Sequence, residues 1–405
     1  MTHGTGTDFD FDTPVDRRGT WSVQWDGLAD RFPVADLLPF TISDMDFPVA
    51  PVIRDALAER LGHGVFGYSD WMHDDFLHAV RDWFSQQFDG AVVDPATVVY
   101  APSVLSQVSQ LVQMWTEPGD GVAVHTPTYD GFRKCVDGLG RELRRIPLGP
   151  GLTGRGGGDR VGLDALDREL SRPATKVLIL CSPHNPTGTV WTAAELAAIG
   201  AIAARHGVPV ISDEIHADLA HPGHPHVPWM MAAPEGGRWA LVTSASKSFN
   251  FPALTGSYGI LSDPADRAEF LRRMWTGEGL ASPAVLSLTA HIAAYRGGAP
   301  WLSALREYVL GNLRLVADVL AADFPDLGWR PPEAGYLAWI DLRPLGVTED
   351  APLQHDLVHR EKVAIMPGGT YGAEGIVRLN VGCPRAKAAA GADALVRSVR
   401  RLGTR

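Results

Sequence analysis

The stretch "ALVTSASKSFNFPAL", residues 240–254, begins as a short apolar strand and ends in an aromatic and apolar run. Between the two stand small hydroxyl residues and one amine, Lys247. A strongly hydrated cation in such a setting is either an ordinary surface charge beside a core strand or an amine kept for chemistry with a carbonyl. The flanking sequence separates the two readings. From about residue 97 to residue 262, short β-branched and apolar runs recur: "TVVYA" (97–101), "GVAVH" (121–125), "LRRIPL" (143–148), "KVLILC" (176–181), "VPVIS" (208–212), "ALVTS" (240–244) and "SYGIL" (257–261). Segments with helical spacing lie between several of them, such as 104–115 and 192–207. Strand–helix alternation of this kind predicts an α/β domain whose mostly parallel seven-stranded sheet is covered on both faces. Ligand sites in such sheets lie beyond the carboxyl ends of the strands.

The strand ends carry the chemistry. After residue 101 comes "PSVLSQ", where Ser103 is placed to cap a helix and the N–H groups of Val104 and Leu105 form an anion seat. After 125 comes Tyr129, and after 181 comes "SPHNPTG", whose prolines fix the chain around Asn185. After 212 come Asp213 and His216, and after 244 comes Lys247. Taken singly, each has a bland reading: Asp213 as a cap, "NPTG" as a turn, Tyr129 and His216 as packed core residues. Together, in this order, they match what pyridoxal phosphate requires. That cofactor needs an amine for its aldehyde, a carboxylate for its ring nitrogen, donors beside its ring hydroxyl, an aromatic face, and a helix start with hydroxyls for its phosphate. Lys247, Asp213, Asn185 with His216, Tyr129, and residues 103–105 with Ser244 and Ser246 fill those roles.

The remaining sequence sets limits. The chain has 405 residues, 45% apolar and 20% charged, with a net charge of −11. That balance speaks for a globular protein and against nucleic acid or an anionic membrane as partner. No apolar run approaches the roughly 20 residues needed to span a bilayer, and the polar, acidic first residues lack the order of a signal peptide. Three well-separated cysteines, Cys135, Cys181 and Cys383, argue against a disulfide framework or a cysteine-based zinc site, so a cytoplasmic location is expected. "HPGHPH" (221–226) has no acidic or cysteine partner nearby and reads as loop filler, so no metal is expected. His291, Trp115 and Trp301 read as packed helix residues, and the glycine-rich "GRGGGD" (154–159) as a surface turn. Residues 1–50 are expected to form an arm with part of a small domain, 51–285 a large α/β domain, and 286–405 a small α+β domain.

The order "SPHNPTG", "SDEIH", "SASK" and "VRLNVGCPR" resembles fold-type I pyridoxal-phosphate enzymes of the class I/II aminotransferase superfamily. "DRRGTWSVQWD", "DLLPFTISDMDFPVAP", "HGVFGYSDW", "SKSFNFPALTGSYG" and "EKVAIMPGGTYG" are similar to the bacterial cystathionine β-lyases, a branch that includes a modulator of the maltose regulon. The resemblance implies Lys247 as the Schiff-base lysine, Asp213 beside the pyridine nitrogen, Asn185 and His216 beside the ring oxygen, and Tyr129 against the ring. It also implies that Arg378 clamps the substrate carboxylate, that Asp46 and Tyr371 lie near the substrate, and that Tyr68 crosses into the other subunit of a homodimer. Where aminotransferases carry an arginine eight positions after the lysine, this chain has Thr255, a candidate phosphate partner; where they carry a tyrosine three residues after the aspartate, it has His216. Both departures favour carbon–sulfur β-elimination on cystathionine or a related cysteine conjugate, with Lys247 moving the α-proton and Lys247 or Tyr68 protonating the sulfur. Transamination and a non-enzymatic role restraining a transcription activator are the alternatives.

Overall fold

A computed structural model of the chain describes residues 9–149 and 158–403, so most of the glycine-rich tract lies outside the described residues. The first strand, β1 (Leu38–Phe40), belongs to a small sheet treated below. The next seven are β2 (Val98–Ala101), β3 (Gly121–Thr126), β4 (Glu142–Pro147), β5 (Thr175–Cys181), β6 (Val210–Asp213), β7 (Trp239–Thr243) and β8 (Ser257–Leu261). They form one sheet in the order β2-β8-β7-β6-β5-β3-β4. Strands β4, β3, β5, β6 and β7 run parallel, and β8 is antiparallel to both β7 and β2. The exception follows from the connection. Between β7 and β8 the chain makes turns and no helix, so nothing carries it back to the far edge of the sheet as a parallel neighbour requires.

Both faces of the central strands are buried, and alternate residues of β3 and β5 enter different cores. Val122, Val124, Val177 and Ile179 pack with one cluster; Ala123, Leu178 and Leu180 pack with another. The helix Val104–Trp115 covers the first cluster with Val104, Val108, Leu111, Val112 and Trp115, a stripe at helical spacing. The helix Ala193–Arg205 covers the second with Leu196, Ile199, Ile202 and Ala203.

Contacts divide the chain into a larger unit, residues 50–185 and 189–299, and a smaller one, residues 1–49, 186–188 and 300–405. The break expected after residue 285 therefore falls after 299. The helix Val285–Gly297 packs on the helices Pro51–Gly62 and Asp74–Gln87, which holds it in the larger unit. The smaller unit carries β9 (Leu337–Asp341), β10 (Val363–Pro367) and β11 (Ile376–Asn380) in a sheet of order β1-β10-β11-β9. Strand β1 pairs parallel with β10, and the other pairs are antiparallel. Three residues around a proline carry no readable period, so β1 was not visible in the sequence. Phe40 at its end is fully buried against Gly391 of the helix Arg385–Leu402, where a Cβ would lie 2.5 Å from the ring. Among the described residues, no helix is long and apolar enough to cross a membrane.

Candidate active site

In the larger unit the carboxyl ends of three neighbouring strands are in register. Cys181 pairs with Asp213, and Asp213 with Val242. The ladder runs one residue further, with Ser182 N donating to Asp213 O and Glu214 N to Val242 O, each at 2.9 Å. Asp213 is held under this continuation and is buried. Its carboxylate accepts one hydrogen bond, from Ile215 N at 3.1 Å. Burial pushes its pKa up to about 7; the Ile215 bond opposes that rise, the charge of Glu214 adds to it, and the charge of Lys247 draws it back. A buried acid and an amine thus sense each other across adjacent strand ends.

Lys247 is half-buried in a turn closed by Phe249 N to Ala245 O and Phe251 N to Ser246 O, each 2.9 Å. Asn250 takes the left-handed conformation (φ 59°), which its short polar side chain tolerates better than most. Ser244 lies 2.8 Å from Gly256 O, 3.1 Å from His291 Nε2 and 3.0 Å from Ser246 Oγ. Burial holds the His291 pKa down to about 4. The neutral ring donates from Nδ1 to Ser287 O at 2.8 Å, which leaves Nε2 as an acceptor. His291 is packed in its helix as expected, and it also orients the serine cluster ahead of the lysine.

Ser103, two residues beyond the end of β2, caps the helix Val104–Trp115 in a reciprocal box with Ser106. Tyr129 stands at the start of the next helix, edge-on to Phe132 at 5.5 Å. A Cβ at Gly131 would come 2.3 Å from the Tyr129 ring, so only glycine permits that placement. Asn185 is buried, with its N–H 3.3 Å from Cys181 Sγ, and His216 is buried at the start of the turn Ala217–Leu219. Thr255 is exposed, and its carbonyl lies 3.5 Å from Tyr100 Oη. Tyr68 is fully exposed on the loop before the helix Asp74–Gln87, so within one chain its ring touches none of these residues.

Two further carboxylates lie beneath this rim. Glu214 accepts from Ser212 Oγ (2.8 Å), Trp229 N (2.7 Å) and His226 Nε2 (2.9 Å). The "HPGHPH" loop is therefore more than filler, since His226 is buried against a carboxylate twelve residues away. Asp218 accepts from Trp83 Nε1 at 3.0 Å and from Ser248 Oγ at 3.1 Å. Their place within two residues of "SDEIH" was the available signal; their partners were not readable from it.

In the smaller unit, Arg378 of β11 is buried, donates to Thr41 O at 3.0 Å and lies 4.5 Å over the Tyr371 ring. The two expected substrate residues are thus in contact. Asp46, expected near the substrate, sits in an ion cluster of the same unit. Its carboxylate accepts from Arg17 (2.9 Å), Trp25 Nε1 (2.8 Å) and Lys387 (2.5 Å), and Arg17 also pairs with Asp44 at 2.7 Å. Burial opposes ionisation of Asp46, but the Lys387 charge and these bonds prevail and lower its pKa.

Residues 35–395 match the family described as "Aminotransferase class I and II". The chain belongs to that family. It is 52% identical to Protein MalY of Escherichia coli (strain K12), over 97% of this chain and 99% of that protein. It is 37% identical to the cystathionine β-lyase PatB of Bacillus subtilis (strain 168), over 92% and 95% respectively. Among solved structures, the PLP-bound C–S lyase from Staphylococcus hominis aligns with a TM-score of 0.88 at 26% identity, covering 97% of this chain and 98% of that one. The class I and II aminotransferase fold accounts for the seven-stranded sheet. At the strand ends of that sheet this chain carries Lys247 in a turn beside Ser244, Ser246 and Ser248, the buried Asp213, and the helix that Ser103 caps.

Proposed function

We propose that the chain is a pyridoxal 5′-phosphate-dependent carbon–sulfur β-lyase, cleaving L-cystathionine or a related cysteine S-conjugate to a thiol, pyruvate and ammonia. The observation that carries this reading is Asp213: a buried carboxylate with one hydrogen bond, beside the strand end that bears Lys247. Such a group is costly unless its charge is met; the Lys247 charge offsets burial only in part, and a protonated ring nitrogen would supply the remainder. The residues fit the cofactor at the other end too, where Val104 and Leu105 N–H and the Ser246 hydroxyl are donors for a phosphate. Ser244, whose one proton has three acceptors in reach, orients Ser246, while Thr255 is a rim contact. Asn185 and His216 flank the ring oxygen, and Tyr129 supports the ring face.

When bound, the cofactor supplies an electron-accepting ring that stabilises negative charge at the substrate α-carbon. Lys247 Nζ takes the α-proton as the general base. Asp213 stays ionised opposite the ring-nitrogen proton and keeps it in place. Arg378 binds the substrate carboxylate through its planar fork, with Tyr371 supporting the guanidinium face. A proton from Lys247 or Tyr68 reaches the departing sulfur as the Cβ–S bond breaks, and water completes the release of pyruvate and ammonia. Tyr68 acts from a second copy of the chain. That role fits the full exposure of Tyr68 and the partial exposure of Val65, Phe66 and Met72 near it, which together suit the interface of a cytoplasmic homodimer.

The experiment is a pyruvate assay with cystathionine, cystine and S-alkyl-cysteines, run with and without an added keto acid. Pyruvate without the keto acid is the expected result, and strict dependence on it would establish transamination instead. Binding to a transcription activator, the role suggested by the maltose-regulon branch, is read by a pull-down in which an unrelated dimer sets the background.

A further inference from the structure

The turn that presents Lys247 lies between β7 and β8, outside their ladder, and side chains add to the two backbone bonds that close it. Ser246 precedes the lysine and is tied to Ser244, which Gly256 O and His291 hold. Ser248 follows it, fully buried, and donates to Asp218 Oδ2 at 3.1 Å. The other carboxylate oxygen takes the indole N–H of Trp83 at 3.0 Å. Trp83 is itself immobilised: it stacks on Tyr295 at 4.9 Å with planes 16° apart, and it lies 5.8 Å from Phe249, two residues beyond the lysine. A buried carboxylate that takes hydrogen bonds from a fully buried serine and an immobilised indole is a strong anchor, because displacing such donors weakens the compensation of a desolvated charge.

We propose that Asp218 is a positioning residue for Lys247, holding the lysine's peptide through Ser248 while Trp83 fixes the carboxylate. The inference rests on the assignment of Lys247 as the reactive amine. It explains why the lysine is followed, as well as preceded, by a serine: each hydroxyl pins one side of the residue, one to the His291 network and one to Asp218. The amine then approaches the carbonyl from a fixed base, and a loosened base reduces the share of productive geometries.

The test uses the full chain freed of cofactor, pyridoxal as the aldehyde probe and borohydride to trap the adduct, with mass mapping of the modified lysine. In the native protein the label is expected at Lys247. Ser248→Ala is expected to slow trapping by about ten- to a hundredfold, the range for loss of a residue that orients a reacting group. In the reloaded enzyme, kcat should fall by a similar factor with KM within about twofold. Ser398→Ala is the control, since Ser398 is also fully buried and donates to a buried carboxylate, Asp356, at 2.8 Å. It should cost comparable stability and leave trapping unchanged. If Ser248→Ala fails to fold, Asp218→Asn is read in its place, because it keeps an acceptor for Trp83 and removes the charge that Ser248 bonds. Trapping in the folded variant at the native rate, or slowed only as much as in Ser398→Ala, would overturn the proposal. No label at Lys247 in the native protein would instead remove the assignment beneath it.

Discussion

Two buried aspartates, one in each unit, behave in opposite ways. Asp46 in the smaller unit is surrounded by Arg17, Lys387 and Trp25, and its pKa falls despite burial. Asp213 in the larger unit has one backbone N–H, and burial raises its pKa to about 7. The residue type is the same and so is the depth; what differs is how far the protein itself satisfies the charge. A carboxylate whose charge is met by the chain titrates low, and one met only in part titrates high. Both were expected at the site from sequence, and what the chain supplies to each differs.

The contrast can be broken by substitution. Lys247→Ala should produce the largest change, a loss of turnover of about 10⁴-fold with the lysine-linked absorbance gone and the melting temperature little altered. Asp46→Ala should act on folding: removing one member of a buried ion cluster costs about 3–5 kcal/mol, seen as a lower denaturation midpoint. Arg378→Lys gives up the bidentate fork, and a loss of about 1.5–3 kcal/mol should be read in kcat/KM, chiefly through KM. Retained KM in that variant would separate Arg378 from the substrate carboxylate.

A pH series sharpens the comparison further, because the two aspartates should shift stability with pH in opposite directions. In the cofactor-free chain, native Asp213 keeps its proton up to about pH 7, whereas the unfolded group releases it near 3.8. The native state binds more protons in that window, so this group's contribution weakens as pH rises through it. Asp46, with a lowered native pKa, contributes fully above 3.8 and loses that contribution as pH falls below it. Asp213→Asn should flatten the first slope and Asp46→Asn the second, measured by denaturant unfolding from pH 3 to 8.

The larger sheet was legible because most of its strands are short apolar runs bounded by turn residues, and the strand ends carry the candidate site residues in order. β1 was not, since three residues around Pro39 have no period and pair only with β10. The allegiance of the helix Val285–Gly297 was hidden as well; its partners begin at residue 51, far away in the chain. Long separation also hid the polar anchors. Lys387 lies 341 residues from Asp46, and Trp83 lies 135 residues from Asp218. Local patterns reveal which residues a strand end delivers, while only the fold reveals whether a charge is already satisfied when it arrives.

The most direct test of the account uses cofactor labelled with ¹⁵N in its ring and reads the nitrogen's chemical shift in the loaded protein. A protonated ring nitrogen in the native enzyme is expected, with loss of that proton in Asp213→Asn while the cofactor stays linked to Lys247. A neutral ring nitrogen in the native enzyme, or a shift that ignores the Asp213 substitution, would contradict it.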